Sequence, residues 1–80
     1  MPDVVVYTGS HCRACERVKD FLTRRGVAFS VRDVDEDLDA YKELVGRGWL
    51  SVPVTLVGDR AIRGFDPAAL GDALAADVGR

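Results

Sequence analysis

The two cysteines of the chain, Cys12 and Cys15, stand three positions apart as Cys-Arg-Ala-Cys. They follow an apolar run over residues 4–7 and precede a pattern typical of a helix. Two thiols at the first turn of a helix can close a small disulfide ring, and the helix N-terminus favours the thiolate of the first. Because the chain has no other cysteine for a disulfide framework, this placement predicts a redox-active dithiol.

The composition suits a small soluble protein and excludes some partners. The chain has 80 residues, 48% hydrophobic and 30% charged, which predicts one domain spanning residues 1–80. A net charge of −2 provides no basic surface for nucleic acid or an anionic membrane. Met1-Pro2-Asp3 leads into the first apolar run without the pattern of an export signal, so we expect a cytoplasmic protein. In that compartment a cysteine pair is more often catalytic or metal-binding than structural.

Hydrophobic periodicity predicts seven elements around the dithiol. Strand-like runs cover Val4–Thr8 and residues 27–34, 52–57 and 61–63. Helical patterns have their apolar positions at Ala14, Val18, Phe21 and Leu22, then at Leu38, Tyr41 and Val45, and finally at Leu70, Ala73 and Leu74. Gly26 is placed to end the first helix, an acidic run over residues 33–37 to begin the second, and Asp66-Pro67 to begin the third.

The order of these elements, β-α-β-α-β-β-α, predicts the fold class. The first two strands are joined by a helix, so they should lie parallel through a right-handed crossover. The last two are joined by Gly58-Asp59-Arg60, so they should form an antiparallel hairpin. The predicted architecture is an α/β fold with a small four-stranded mixed sheet flanked by three helices.

The chain resembles the glutaredoxin-type members of the thioredoxin fold. Four landmarks carry the likeness in the same order: Tyr7-Thr8, Cys12-x-x-Cys15, Val52-Pro53 before a strand, and Gly64-Phe65-Asp66-Pro67 at the last helix. The resemblance covers essentially the whole chain. It implies a thioredoxin-like fold and a thiol–disulfide oxidoreductase that reduces protein disulfides.

Within that family the chain is most similar to the NrdH-redoxin group. Two stretches carry this similarity, Gly48-Trp49-x-x-Val52-Pro53-Val54 and Gly64-Phe65-x-Pro67. NrdH-redoxins are electron donors for ribonucleotide reductase and are recharged by thioredoxin reductase. The resemblance therefore implies a monomeric electron carrier without a bound cofactor, with protein disulfides and thioredoxin reductase as partners and NADPH as the electron source.

A glutathione-dependent glutaredoxin is the main alternative. Such proteins usually have a lysine shortly before the dithiol and a Gly-Gly-x-Asp-Asp stretch at the last helix. This chain has Gly9 in place of the lysine, Arg63 in place of the first glycine and Pro67 in place of the second aspartate. These departures argue against glutathione as the electron source, although Gly9 and the Arg13-Ala14 dipeptide also depart from the typical NrdH-redoxin pattern.

The position of the dithiol assigns a different role to each cysteine. Cys12 precedes the helix and its sulfur can face the free amides of the first turn, so it should be the attacking thiolate. Cys15, one turn further on, should resolve the mixed disulfide. Arg13 should tune the thiolate by adding a cation beside it, with an effect on the order of 1 kcal/mol.

Four further residues are expected at the substrate surface. The resemblance implies that Pro53 is cis and that the backbone of Val52 faces the dithiol, where an extended substrate segment can pair with it. Gly64 and Phe65 are also expected to contribute to substrate binding, with Phe65 and Trp49 forming an apolar rim for partners. An alternative applies to the aromatic residues Phe65, Trp49 and Tyr7, which pack in cores as often as they bind partners.

Other roles are open but less favoured. His11 is more simply a surface residue than a catalytic one. A copper chaperone also carries Cys-x-x-Cys between a first strand and a first helix, but its order is β-α-β-β-α-β and it usually has Met-x-Cys, where this chain has Ser10. A zinc site would need more ligands than the dithiol and His11 supply. An iron–sulfur cluster bridged by two chains is a further alternative, as is a role for the acidic run in guiding a basic reductase.

Overall fold

The computed structural model describes residues 4–78, which form a four-stranded sheet between helices. The elements are β1 (Val4–Thr8), α1 (Arg13–Arg24), β2 (Ser30–Asp33), α2 (Leu38–Gly46), β3 (Val54–Val57), β4 (Arg60–Arg63) and α3 (Pro67–Val78). The strand order is β2-β1-β3-β4, with β1 parallel to β2 and antiparallel to β3, and with β4 antiparallel to β3. The predicted element order, the parallel pairing of the first two strands and the hairpin are therefore confirmed.

The sheet buries a different set of side chains on each face, because residues along a strand alternate between faces. The face covered by α1 and α3 holds the larger core, made of Val4, Val6, Val18, Leu22, Val57, Ile62, Leu70, Ala73 and Leu74. The face covered by α2 holds a smaller core of Tyr7, Leu44 and Val54, with Val5, Val34, Trp49, Val52 and Leu56 packed against it. The predicted inner face of α3 is confirmed.

The second strand is shorter than predicted. Residues 27–34 alternate in polarity, but only Ser30–Asp33 forms β2. Gly26, with φ of 69°, ends α1, and the Val27 N–H donates to the carbonyl of Leu22, so residue 27 belongs to the end of the helix. Val31 is 47% exposed because β2 is an edge strand. The prediction of a half-buried strand was therefore wrong for both its start and Val31.

The buried face of α2 also differs from the prediction. Leu38, Tyr41 and Val45 were expected to point inward, but they are 65%, 50% and 42% exposed. Ala40 and Leu44, four residues apart, face the sheet instead. Both sets fit a helical period, and contact with Tyr7 and Val54 selects the set that contains Leu44.

A half-exposed polar network ties α2 to the sheet. Arg32 on β2 donates to Glu43 at 2.6 and 3.2 Å and to Asp37 at 3.3 Å, while the Tyr7 hydroxyl donates to Glu43 at 3.1 Å. The hydrogen bond from Arg32 is the main reason that the pKa of the Glu43 carboxyl lies below its ordinary value. Burial is the main reason that the pKa of Tyr7 lies above its ordinary value. Periodicity in the sequence gave no sign of this network.

Candidate active site at the N-terminus of α1

Cys12 and Cys15 are disulfide-bonded, with their Cα atoms 5.2 Å apart. Cys12 is the N-cap residue of α1, and its sulfur accepts a hydrogen bond from the Cys15 N–H at 3.1 Å. An N-cap normally uses a side-chain oxygen to satisfy one of the free amides of the first turn. Here a sulfur occupies that position, so the helix N-terminus acts directly on the first cysteine.

The two sulfurs differ in their access to solvent. Cys15 is completely buried, whereas Cys12 is partly exposed. In thiol–disulfide exchange the attacking sulfur must reach a sulfur of the substrate disulfide directly. A substrate can therefore approach Cys12, whereas the buried Cys15 is out of its reach. This asymmetry follows from the positions of the residues on α1, since Cys15, Val18 and Leu22 form its buried face.

The loop before β3 lies beside the dithiol loop, and it is hydrogen-bonded to the residue that follows β4. The carbonyl oxygen of Val52 lies 4.0 Å from the Cys12 sulfur, and the Val52-Pro53 peptide bond is cis, as the resemblance implied. The Gly64 N–H donates to the carbonyl of Pro53 at 2.9 Å, which fixes the end of β4 to the start of β3. The structure thus places the Val52 carbonyl beside Cys12 and joins Gly64 to the neighbouring Pro53, which is itself buried.

The aromatic residues lie mainly in the core. Phe65 is partly buried against the larger core and makes an edge contact with Phe21 on α1, with ring centroids 6.2 Å apart. Trp49 makes a similar contact with the buried ring of Tyr7 at 6.2 Å, and the Arg47 guanidinium lies 5.5 Å from the Trp49 ring. Tyr7 therefore has a structural role, while Phe65 and Trp49 keep part of their surface open.

The two residues adjacent to Cys12 in the sequence, His11 and Arg13, are exposed. Arg13 is the first residue of α1 and lies directly after the N-cap. His11 lies directly before it and has a φ of 54°, in the left-handed region that residues other than glycine rarely adopt. Both side chains are open to solvent, as expected for surface positions.

The acidic run proves to be a set of specific contacts. The Asp33 carboxylate accepts the N–H groups of Asp35 and Glu36 at 2.9 and 3.2 Å, and Asp37 caps α2. The Asp35 carboxylate accepts the N–H of Ser10, in the dithiol loop, at 2.6 Å. The sequence gave no signal for that last contact, because its partners are 25 residues apart and belong to different loops.

Comparison with known proteins agrees with this geometry. The family model described as Glutaredoxin matches residues 4–62. The chain belongs to the glutaredoxin family. As a glutaredoxin-like protein with the Cys12-x-x-Cys15 pair, it is a thiol–disulfide oxidoreductase.

Relatives of the NrdH type are prominent among the similar glutaredoxins. The glutaredoxin-like protein NrdH of Lactococcus lactis subsp. cremoris (strain MG1363) is 31% identical over 67 residues, which covers 84% of this chain and 93% of that protein. NrdH of Escherichia coli (strain K12) is 31% identical over 64 residues, covering 80% and 79%. The solved structure of the NrdH-redoxin from Escherichia coli superposes with a TM-score of 0.81 at 28% identity, covering 88% of this chain and 92% of that one.

The order of the elements also distinguishes a glutaredoxin from a copper chaperone. A copper chaperone would have the order β-α-β-β-α-β, whereas this chain has α2 before its hairpin and α3 after it. The glutaredoxin assignment is therefore confirmed against that alternative. Across residues 4–78, each helix is too short or too polar to cross a lipid bilayer.

Proposed function

We propose that this glutaredoxin-like protein is an electron carrier that reduces protein disulfides through Cys12 and Cys15 and is recharged by thioredoxin reductase with electrons from NADPH. The observation that carries the proposal is the asymmetric dithiol, in which an accessible Cys12 sulfur caps α1 and Cys15 is buried behind it. NrdH-type proteins work through this dithiol without a bound cofactor. We also propose a cytoplasmic location, where NADPH-linked reductases keep thiols reduced.

The thiol–disulfide exchange proceeds in two steps. The Cys12 thiolate attacks one sulfur of the substrate disulfide, forming a mixed disulfide and releasing the other substrate sulfur as a thiolate, which takes up a proton. The Cys15 thiol then loses its proton and attacks the Cys12 sulfur, which closes the Cys12–Cys15 disulfide and releases the second substrate thiol. Two electrons pass to the substrate, and proximity makes the second step fast.

The helix N-terminus favours the first step. The Cys15 N–H that donates to the Cys12 sulfur stabilises a negative charge there, and the positive end of the helix dipole acts in the same direction. Arg13 adds a solvated cation next to the sulfur, which contributes on the order of 1 kcal/mol. We therefore assign Cys12 as nucleophile, Cys15 as resolving thiol and Arg13 as the residue that tunes the thiolate.

The substrate is proposed to bind across the two loops beside Cys12. The Val52 carbonyl lies 4.0 Å from the Cys12 sulfur, so the backbone there can pair with an extended segment next to a substrate cysteine. Phe65 and Val52 are partly exposed and offer apolar contact, while Pro53 and Gly64 hold the two loops together through their 2.9 Å hydrogen bond.

Two observations favour thioredoxin reductase over glutathione as the electron source. Arg63 and Pro67 stand where glutathione-dependent glutaredoxins have a glycine and an aspartate. In addition, the similar NrdH-redoxin from Escherichia coli is described as having a thioredoxin-like activity profile. Ribonucleotide reductase is the proposed target, by likeness to the NrdH group.

The test compares the two electron sources with one substrate. NADPH oxidation is followed with insulin as the disulfide substrate, once with thioredoxin reductase and once with glutathione and glutathione reductase. We expect turnover only with thioredoxin reductase, and efficient turnover with glutathione would contradict the proposal. Cys15→Ser tests the roles of the two cysteines. This variant should accumulate a mixed disulfide between Cys12 and the substrate, and turnover at the wild-type rate would overturn the resolving role of Cys15.

A second assay tests the target. The reduced protein is supplied as the sole electron donor to a ribonucleotide reductase that accepts electrons from an NrdH-redoxin, with thioredoxin reductase and NADPH. Deoxyribonucleotide formation at micromolar carrier concentration would support the target. Formation no faster than with Cys12→Ser would rule it out.

A further inference from the structure

The β2–α2 turn makes a contact with the dithiol loop that the exchange mechanism does not use. The Asp35 Oδ2 atom accepts the Ser10 N–H at 2.6 Å. Ser10 lies two residues before Cys12, at the point where the chain leaves β1. The contact therefore connects a carboxylate from another part of the chain to the segment that carries the nucleophile.

Gly9 provides the space for this carboxylate. A Cβ atom built at Gly9 would lie 3.2 Å from Asp35 Oδ2 and 3.2 Å from the Val52 Cγ2 atom, both closer than ordinary van der Waals contact. Asp35 and Val52 thus flank the same glycine, and Val52 also contacts the Cys12 sulfur through its carbonyl at 4.0 Å. The carboxylate and Val52, which belongs to the proposed substrate surface, therefore both lie beside Gly9.

The carboxylate is held in place by its own turn. The Asp35 N–H donates to the Asp33 side chain at 2.9 Å, and the Val34 N–H donates to the carbonyl of Thr8 at 2.9 Å. Asp33 itself pairs with Thr8 in the sheet. Because the turn is tied to the end of β1, Asp35 presents its charge to the dithiol loop from a fixed position.

We propose that Asp35 is a positioning residue that orders the dithiol loop through Ser10 and holds a negative charge near Cys12, so that the oxidised dithiol is favoured and the protein is a stronger reductant. This inference rests on the dithiol exchange proposed above. It adds a residue whose charge opposes that of Arg13.

The direction follows from the charges in the redox couple. Reduction of the Cys12–Cys15 disulfide by two electrons and one proton gives a thiolate at Cys12 and a thiol at Cys15. The disulfide is neutral and the thiolate is negative, so a fixed carboxylate raises the free energy of the reduced form only. The Asp35 carboxylate binds the amide two residues before Cys12, so chain dimensions put it on the order of 8 Å from the Cys12 sulfur. Because the carboxylate is largely solvated, neutralising it should shift the redox equilibrium about two- to threefold toward the reduced protein.

The test measures that equilibrium in three variants. Asp35→Asn keeps an acceptor for Ser10 but removes the charge, whereas Asp35→Ala removes both. Asp59→Asn removes an exposed charge from the β3–β4 turn, at the opposite end of the sheet from the dithiol, and serves as the matched control. Each protein is equilibrated with dithiothreitol redox buffers, and its reduced fraction is measured by alkylation and mass spectrometry.

We expect Asp35→Asn to shift the equilibrium constant about two- to threefold toward the reduced form and Asp59→Asn to leave it unchanged. An Asp35→Asn constant equal to that of the wild type, or to that of Asp59→Asn, would overturn the electrostatic role. Equal constants would not contradict the proposed dithiol exchange. That proposal is contradicted only if the wild type forms no reversible disulfide or if Cys12→Ser retains turnover.

Hydrogen exchange tests the positioning role independently. Asp35→Ala should raise the exchange rate of the Ser10 amide at least tenfold, while Asp35→Asn should retain most of its protection. Gly9→Ala should also raise that rate, because the added methyl group competes with the carboxylate for the same space. Equal Ser10 exchange in the wild type and Asp35→Ala would contradict the positioning role.

Discussion

Two helices of this protein begin with the same type of cap but with different atoms. At α2 the Asp37 carboxylate accepts the N–H groups of Asp39 and Ala40 at 2.9 and 3.3 Å. At α1 the Cys12 sulfur accepts the Cys15 N–H at 3.1 Å. In both cases a side chain satisfies free amides of the first turn, and in both cases the positive end of the helix faces that side chain.

The difference lies in when each cap carries charge. A carboxylate is ionised at neutral pH, so the attraction between Asp37 and the first amides of α2 is present whenever the protein is folded, and it stabilises the folded state. The Cys12 sulfur is neutral in the disulfide and can be negative only after reduction. The same arrangement therefore stabilises the folded state at α2 and shifts the thiol–thiolate equilibrium of Cys12 at α1. Capping geometry alone does not tell a structural cap from a reactive residue.

The largest expected effect is the loss of turnover in Cys12→Ser. Serine is a good N-cap residue, so the unfolding free energy of this variant should stay within about 0.5 kcal/mol of that of the reduced wild type. Insulin reduction should fall to the uncatalysed rate, because the hydroxyl cannot form a disulfide. Urea unfolding and the NADPH-coupled assay measure the two quantities, and full turnover would show that the role of Cys12 is wrongly assigned.

The converse substitution at α2 should affect stability and leave chemistry alone. Asp37→Ala removes the carboxylate cap and its contact with Arg32, so it should lower the unfolding free energy by about 1 kcal/mol. Turnover should remain within about twofold of the wild type. Asp37→Asn, which keeps an acceptor, should recover most of the stability; a large loss of turnover in either variant would contradict the proposed division between the helices.

A smaller effect, confined to acid, is expected for Glu43. Hydrogen bonding from Arg32 lowers the pKa of Glu43 in the folded protein, so its contribution to stability is present above the unfolded value of about 4.3 and is lost as the pH falls through the lower folded value. Glu43→Gln should therefore lose less stability on acidification than the wild type does. Urea unfolding over a pH series checks this, with Glu36→Gln as a control that should follow the wild-type curve.

The smallest expected effect concerns Arg13. Arg13→Gln removes a solvated cation beside the Cys12 sulfur, so the pH midpoint for alkylation of Cys12 should rise by roughly half a unit. Arg17→Gln, one turn further along α1, removes an equal charge from an exposed position and should shift the midpoint less. Equal midpoints for the wild type and Arg13→Gln would remove Arg13 from the site.

Local patterns predicted the parts of the molecule that depend on neighbouring residues. The element order and the cap of α1 could be predicted because periodicity and the spacing of Cys12 and Cys15 are properties of short segments. The face of α2 could not, since Leu38, Tyr41 and Val45 fit one helical stripe as well as Ala40 and Leu44 fit another, and only packing on the sheet selects between them.

Contacts between distant segments were likewise out of reach of the sequence. The acidic run looked like a solvated start of a helix, yet Asp35 binds the Ser10 amide across 25 residues. The hydrogen bond from Tyr7 to Glu43 spans 36 residues, and nothing in either local pattern indicates it. For Val52 the location near the dithiol, next to a cis Pro53, came from the family resemblance, and the role of Val52, Pro53 and Gly64 in substrate binding stays a prediction.

Cys12, at the N-terminus of α1, is proposed to be the sulfur that ionises and attacks. The direct measurement is the pH dependence of iodoacetamide alkylation of the reduced protein, with the modified residue identified by mass spectrometry. We expect Cys12 to react first, with a midpoint below the value of about 8.5 for a free cysteine, while Cys15 is protected. Equal modification of both cysteines with a midpoint near that of a free thiol, or modification of Cys15 first, would contradict it.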